Sequence, residues 1–262
     1  MIAAVGWQLF FFMTGLLPLV WLLPWLLFMR RWESAHTSAS DAGGGAQPHT
    51  MSWRESFALL KQRSLLGICL GYGCYNYCWI VMLTWLPGYL KLERGFNARE
   101  LAVFSSVPYV IGFFVALAAG VMSDWFVRRG VAELRVRKAF MLSGMAVACL
   151  IIPAGIVADK LTAVGLLAAA LCGLSASGVN SWLVTQAVCD KQIVGTATGL
   201  QNFFGNLSGI VAPALTGLIA QTTGSFALAL GLTGALLMAG IVFYWLMVAE
   251  KVTTASAPFD GD

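Results

Sequence analysis

The chain has 262 residues, of which 59% are hydrophobic and only 11% are charged, with a net charge of +4. Soluble domains carry about 25% charged residues, so this composition excludes an ordinary water-exposed domain and predicts a protein whose solvent is lipid. The basic residues stand in short clusters between apolar runs, without the interleaved aromatic residues typical of nucleic-acid binding. We therefore predict no nucleic-acid partner.

Seven apolar runs are long enough to cross a bilayer, because a spanning helix needs about 20 residues. They do not alternate polar and apolar residues as the strands of a membrane barrel do. The sequence therefore predicts an all-α membrane protein with seven transmembrane helices. Their approximate positions are Trp7–Met29, Leu66–Leu90, Leu101–Met122, Ala139–Ala158, Leu161–Val188, Ile193–Ala220 and Ser225–Val248.

A polar segment separates the first predicted helix from the other six. Residues 33–50 are rich in Ser, Ala and Gly, which is typical of a flexible linker. Ser52 and Glu55 then have the spacing of a capping box, and Trp53 and Phe57 lie on one side of the helix that follows, which predicts an interfacial helix. We divide the chain into a transmembrane helix (1–32), a cytoplasmic linker with the interfacial helix (33–64), a six-helix bundle (65–249) and a cytoplasmic tail (250–262).

The distribution of positive charge predicts the orientation. Of the 16 Lys and Arg residues, 12 lie in connections on the side of the linker, and four, at Lys91, Arg94, Arg99 and Lys160, lie on the other side. The positive-inside rule places the first set and the C-terminus in the cytoplasm and the N-terminus outside. We expect a multi-pass protein of the inner (plasma) membrane. An odd number of spans with an external start leads us to expect that residues upstream are missing.

None of the seven predicted spans contains Asp, Glu, Lys or Arg. A charge buried in a membrane is costly and marks paths for ions or protons, so we predict that this chain supplies no proton carrier of its own. The spans also lack a nucleophile–base pair and an acid pair, which argues against an embedded enzyme. We predict no cofactor and no metal site.

Neutral polar and small residues instead gather on single faces of three predicted helices. The second span carries Tyr72 and Asn76 on one face with Tyr75 beside it, and the fifth carries a polar stripe with Ser181, flanked by Trp182. Small residues predict close helix packing, whereas the amides and aromatic rings either hold helices together or line a ligand cavity. The face of the sixth span holds Gly195, Thr198, Gly199, Asn202, Gly205, Asn206, Gly209, Pro213 and Gly217.

The connection after the second helix of the six-helix set carries a charge pattern. It reads GVMSDWFVRRG, with Val127 where the pattern prefers Gly, and resembles the G-x-x-x-D-x-x-G-R-R loop of the major facilitator superfamily. In that superfamily the acidic residue and the arginines form a charge-and-dipole latch that holds one conformation. The alternative is a solvated basic loop that follows the positive-inside rule. The resemblance implies a latch made by Gly120, Asp124, Arg128 and Arg129.

Three further stretches are similar to the anion:cation symporter family, which moves organic anions such as sugar acids, usually with protons. Residues 199–209 (GLQNFFGNLSG) resemble its eleventh helix, residues 71–79 (GYGCYNYCW) its seventh, and the start of the chain through Trp32 its sixth. The resemblance implies the C-terminal part of a 12-helix transporter that works by alternating access. It also implies that Tyr72, Tyr75, Asn76, Ser181, Trp182 and Asn202 face the central cavity.

Together these features predict transport of a small organic anion, a sugar acid or related carboxylate, coupled to protons. The expected partners are the anion and protons, the lipid bilayer, and the missing N-terminal bundle or an equivalent chain. The resemblance places the proton-binding carboxylates and anion-binding arginines in that missing bundle. A neutral-sugar or drug facilitator is an alternative that fits the charge-free spans, and a truncated, non-transporting membrane protein is the alternative outside transport.

Overall fold

The computed structural model describes residues 7–40, 51–249 and 251–253. The chain forms two compact units, Met1–His49 and Thr50–Asp262. Within the described residues, seven helical segments are long and apolar enough to cross a membrane. This finding confirms the predicted fold class, an all-α membrane protein with seven spans.

The first unit contains one long helix, α1, which covers Trp7–Ser40. Its apolar part holds two prolines, Pro18 and Pro24. Proline is tolerated in membrane helices because neighbouring groups satisfy the backbone atoms that it frees. The prediction of a flexible linker is corrected for residues 33–40, which are helical, as the Glu and Ala residues there favour. Residues 41–50 of the predicted linker lie outside the described residues.

The second unit begins with a short helix, α2, and continues through a 3-10 turn at Leu59–Lys61 into the first long helix of the bundle. One of its six membrane crossings is interrupted at Cys149 and Leu150, so α5 and α6 together form a single span. The helices are α2 (Trp53–Ala58), α3 (Arg63–Leu92), α4 (Ala98–Arg128), α5 (Glu133–Ala148), α6 (Ile151–Ile156), α7 (Lys160–Val188), α8 (Val194–Thr223) and α9 (Ala227–Met247).

Helix α2 starts with the capping box that its sequence predicts. The backbone N–H of Glu55 donates to Oγ of Ser52 (3.3 Å), and the N–H of Ser52 donates to Oε2 of Glu55 (2.7 Å). Trp53 is 82% exposed, and its ring stacks beside that of Phe57. Leu59, in the turn that follows, is buried and anchors the segment to the bundle. The capping box is confirmed, and the location of α2 at the membrane surface stays a prediction.

Helices α3 and α7 form the centre of the bundle, because α3 packs against α8 and α9 while α7 packs against α4 and α5. Helices α5 and α7 approach so closely that their backbones are in contact. A Cβ on Gly144 would lie 2.6 Å from the carbonyl oxygen of Gly173, and a Cβ on Gly173 would lie 2.8 Å from the amide nitrogen of Ala148. Small residues permit such contacts in membranes, where association depends on packing rather than on the hydrophobic effect.

A lysine of α5 caps the end of α9. Nζ of Lys138 donates to the carbonyl oxygens of Trp245 (3.0 Å) and Val248 (2.7 Å). Carbonyls at a helix C-terminus have no partner inside the helix, and a cation there also interacts favourably with the helix dipole. We expect Lys138→Met to destabilise the folded bundle by about 1 kcal/mol, seen as a lower thermal unfolding midpoint of the detergent-purified protein.

The matched control for this substitution is Lys191→Met. Lys191 is exposed in the turn between α7 and α8, outside both helices, so its replacement should leave the midpoint unchanged. If both variants unfold at the wild-type temperature, Lys138 does not stabilise the end of α9.

Candidate functional site

Aromatic side chains of α3 and α7 meet in the middle of the bundle. The ring centroid of Tyr72 lies 5.6 Å from that of Tyr75 and 5.2 Å from that of Trp182. The two tyrosines are buried, whereas Trp182 is half-buried. The structure therefore brings together three of the residues that the sequence predicts to face a cavity. Such a cluster suits helix packing and also stacking against a ligand.

Tyr75 joins α3 to α7. Its hydroxyl donates to the carbonyl oxygen of Leu174 (3.1 Å), and a Cβ on Gly178 would lie 2.6 Å from that hydroxyl. Gly178 thus leaves the space that the phenol occupies. Because the hydroxyl is bonded to the α7 backbone, its placement favours the packing alternative for Tyr75, which supports the ring of Tyr72.

Gly205 of α8 positions both Asn76 and Tyr72. Its carbonyl oxygen accepts a hydrogen bond from Nδ2 of Asn76 (2.6 Å), and a Cβ at this position would lie 2.5 Å from Cε1 of Tyr72. A side chain here would push the Tyr72 ring out of its place. A carbonyl can accept only from the amide nitrogen, so this bond orients the Asn76 side chain and leaves Oδ1 as an acceptor.

Asn202 and Asn206 lie on an exposed face of α8 in the part of the chain that the structure describes. Nδ2 of Asn206 donates to Oδ1 of Asn202 (3.0 Å) and to the backbone carbonyl oxygen of Asn202 (2.9 Å). These bonds stay within α8, so they do not hold a neighbouring helix. The Asn202 amide is exposed and carries two N–H donors on its Nδ2.

The hydroxyl of Ser181 makes its described hydrogen bond within α7. The side chain is 1% exposed, and Oγ donates to the carbonyl oxygen of Gly178 in its own helix (2.8 Å). A hydroxyl bonded to its own helix has no donor left for a ligand. The expectation that Ser181 faces the cavity is therefore not supported by its placement.

The residues predicted for helix packing divide into two groups. Pro213 accepts a hydrogen bond at its carbonyl oxygen from Nε1 of Trp85 (3.1 Å), and a Cβ on Gly209 would lie 3.8 Å from Ile80, so this part of α8 packs on α3. A Cβ on Gly195 or Gly199 would have no described neighbour within 4 Å. Packing by these two glycines has no partner among the described residues and stays a prediction.

The residues of the predicted latch lie at the junction of α4 and α5. Oδ1 of Asp124 pairs with Nη2 of Arg137 (2.6 Å), and Nη1 of Arg137 donates to Oγ of Ser123 (2.6 Å). The guanidinium of Arg129 instead stacks on the ring of Trp125, 3.7 Å from its centroid. The ion pair that the structure describes for Asp124 is thus made with a residue outside the predicted set.

The charge count of the sequence places Arg137 in a connection between spans, and this expectation is corrected. Helix α5 begins at Glu133, and Arg137 in its second turn is only 6% exposed. Its pairing with Glu133, one turn earlier, has a separation of 3.7 Å. The signal available in the sequence was this i, i+4 pair of opposite charges, which favours a helix in place of a loop. Gly120 lies one helical turn before Asp124, with Val179 of α7 beside it.

Residues 1–213 match the sequence pattern of the Major Facilitator Superfamily. The chain belongs to this superfamily. Major Facilitator Superfamily proteins are transporters and not enzymes, in agreement with the sequence analysis. The match includes α1 and most of the second unit through Pro213 of α8.

Curated relatives of this Major Facilitator Superfamily chain are named as sugar-acid transporters. The "Hexuronate transporter" of Bacillus subtilis (strain 168) is 33% identical over 248 residues, which are 90% of this chain and 55% of the relative. The "Probable galactarate/D-glucarate transporter GudP" of Escherichia coli (strain K12) is 31% identical over 275 residues, covering 98% and 61%. The "Probable L-galactonate transporter" of the same organism is 28% identical over 261 residues, covering 96% and 57%. These names confirm the resemblance to a sugar-acid and anion transporter family.

The chain spans little more than half the length of these relatives.

One contact between helices of this superfamily chain was not predicted from the sequence. Oε1 of Gln201 accepts a hydrogen bond from Oγ1 of Thr185 (2.6 Å), and both side chains are fully buried between α8 and α7. A Gln in the middle of an apolar helix indicates a bond to another helix. Gln201 lies about 100° around α8 from Asn202 and therefore outside the face that the sequence predicts for the site.

Proposed function

We propose that this chain forms the C-terminal part of a proton-coupled symporter for a small organic anion of the sugar-acid class. The observation that carries the proposal is the polar wall, which we define as Tyr72, Asn76, Trp182 and Asn202. It presents amide and aromatic groups, with no charged member, on adjoining helices. The names of the relatives support the substrate class, because they include hexuronate, galactarate, D-glucarate and L-galactonate.

The chemistry of the polar wall matches a polyhydroxy carboxylate. The bond from Asn206 to Oδ1 orients the Asn202 amide, and its N–H groups are donors that suit a carboxylate. The bond to Gly205 uses one N–H of Asn76 and fixes the orientation of the amide, and its Oδ1 is an acceptor that suits a hydroxyl group. The rings of Tyr72 and Trp182 suit the apolar side of the same ligand.

A second bundle completes the mechanism that we propose. Transporters of this kind alternate access by moving two bundles about a site near the midplane of the membrane. In this mechanism the substrate binds between the exposed face of α8 and the N-terminal bundle. The predicted spans of this chain contain no Asp, Glu, Lys or Arg, so we assign proton binding and charge neutralisation to the N-terminal bundle. We further propose that the protein lies in the inner membrane with its C-terminus in the cytoplasm.

In the full-length protein, Asn202→Ala should abolish uptake of a sugar acid while the protein remains in the membrane, because the substitution removes the exposed amide donors. The measurement is uptake of radiolabelled galactarate or hexuronate into proteoliposomes, with the amount of protein determined by immunoblot. Ser143→Ala is the matched control, since Ser143 is an exposed polar residue of α5 whose hydroxyl bonds only its own helix.

Unchanged uptake in Asn202→Ala would show that Asn202 is a packing residue.

The same vesicles test whether transport is coupled to protons. Accumulation by the wild type should stop when a protonophore collapses the proton gradient, whereas uptake that is insensitive to the gradient would favour a facilitator for neutral sugars or drugs.

A further inference from the structure

Residues 251–253 follow α9 and lie against the connection between α7 and α8. Val252 forms a parallel bridge with Cys189. Its N–H donates to the carbonyl oxygen of Val188 (2.9 Å), and its carbonyl oxygen accepts from the N–H of Asp190 (3.2 Å). The Val252 side chain is fully buried and belongs to the hydrophobic core. The sequence predicts that these residues belong to the cytoplasmic tail.

The same residues are bonded on their other side to the start of α3. Nε2 of Gln62 donates to the carbonyl oxygen of Thr253 (2.7 Å), and the N–H of Thr253 donates to Oε1 of Gln62 (3.2 Å). The side-chain amide of Gln62 thus bonds both the N–H and the carbonyl oxygen of Thr253, as the backbone of a neighbouring β-strand would. Gln62 lies between the turn that follows α2 and the first residue of α3.

We propose that residues 251–253, which we name the C-terminal strap, form a conformational device that clamps the α7–α8 connection to the start of α3. Four hydrogen bonds and one buried valine hold the strap. So short a segment opens more readily than a helix packed along its whole length. Release of the strap frees the ends of α7 and α8 to move relative to α3. The proposal stands on these contacts and does not depend on the identity of the substrate.

Cys189 is a built-in reporter of the strap. It is 8% exposed and lies directly beside Val252. Burial, with the charge of Asp190 as a second cause, raises the pKa of the Cys189 thiol to about 11. The thiolate is the reactive form, so a maleimide should alkylate Cys189 slowly at neutral pH while the strap is closed.

The test is the rate at which a maleimide alkylates Cys189 in the full chain, reconstituted in nanodiscs, after replacement of the other five cysteines by alanine. Val252→Asp places a carboxylate in an apolar site and should release the strap, which raises the rate by about tenfold or more. Gln62→Ala removes only the bonds to α3 and should give an intermediate rate. Thr253→Ala is the matched control and should not change the rate, because Thr253 bonds Gln62 through its backbone.

A second thiol separates local release from unfolding. In a protein that retains Cys78 of α3, which is fully buried, in place of Cys189, Val252→Asp should leave alkylation slow. Fast alkylation at Cys189 with slow alkylation at Cys78 supports the strap. A wild-type rate at Cys189 in both Val252→Asp and Gln62→Ala overturns it, and so does equal acceleration at Cys189 and Cys78.

Discussion

Gly173→Val should prevent the second unit from reaching its folded state. A Cβ at this position would lie 2.8 Å from the amide nitrogen of Ala148 and 3.0 Å from Cβ of Val147, and closer still to the carbonyl oxygen of Gly144. Two of these atoms belong to the α5 backbone, so they cannot rotate away and the helices must separate. We expect a cost of about 3 kcal/mol or more, measured as loss of the monodisperse peak in size-exclusion chromatography and a lower unfolding midpoint.

Gly165→Ala is the matched control for Gly173→Val, because it changes a glycine of the same helix. Gly165 is exposed near the start of α7, and a Cβ there would meet no described atom within 4 Å. Alanine favours helix over glycine by about 1 kcal/mol, so this variant should be as stable as the wild type or slightly more stable. A Gly173→Val protein that folds and melts like the wild type would contradict the close approach of α5 and α7.

In a transporter completed by the proposed N-terminal bundle, Asp124→Asn should slow turnover more than it weakens substrate binding. Arg137 is almost fully buried and relies on Asp124 at 2.6 Å, because Glu133 lies farther away at 3.7 Å. Removing the partner of a buried charge is costly, but Asp124 is 45% exposed, so we expect about 2 kcal/mol, between the values for surface and buried pairs. Initial uptake rates, substrate affinity by calorimetry and the unfolding midpoint measure these effects.

Two further variants distinguish the ion pair from the latch implied by the family resemblance. Arg137→Gln should reproduce the slow turnover of Asp124→Asn, because it removes the other member of the pair. Arg128→Gln should have a smaller effect, since the ion pair described for Asp124 is with Arg137. If Asp124→Asn turns over at the wild-type rate, the latch is wrong. If Arg128→Gln is the more damaging of the two arginine variants, the loop arginines form it instead.

The fold class was readable in the sequence because a bilayer leaves few choices. A segment in lipid must satisfy every backbone hydrogen bond within itself, so each long apolar run becomes a helix. The capping box at Ser52 and Glu55 was also readable, because it depends on residues three apart in the chain. Pairing between helices follows no such local rule. The contact of Gly144 with Gly173 joins two helices, and the sequence of one helix does not indicate which other helix it packs against.

The candidate site was predictable to the level of helix faces and not of individual bonds. The polar faces of α3, α7 and α8 do place Tyr72 near Trp182 and Asn76 near Gly205. Periodicity could not tell that Ser181 donates to its own helix, because a serine in a membrane helix has that option on any face. The burial of Arg137 was hidden for a different reason, since charge counting treats every arginine near a span as solvated.

The bond from Asn76 to Gly205 limits how the proposed site could acquire a new substrate preference. The acceptor is the backbone carbonyl of Gly205, which a substitution does not change. Any side chain added at position 205 would collide with the ring of Tyr72. Mutation at position 205 therefore offers no gradual route to a new preference. In the proposed site, the position and orientation of the Asn76 amide can therefore change only by substitution of Asn76 itself or by a shift of α8, which would also move Asn202.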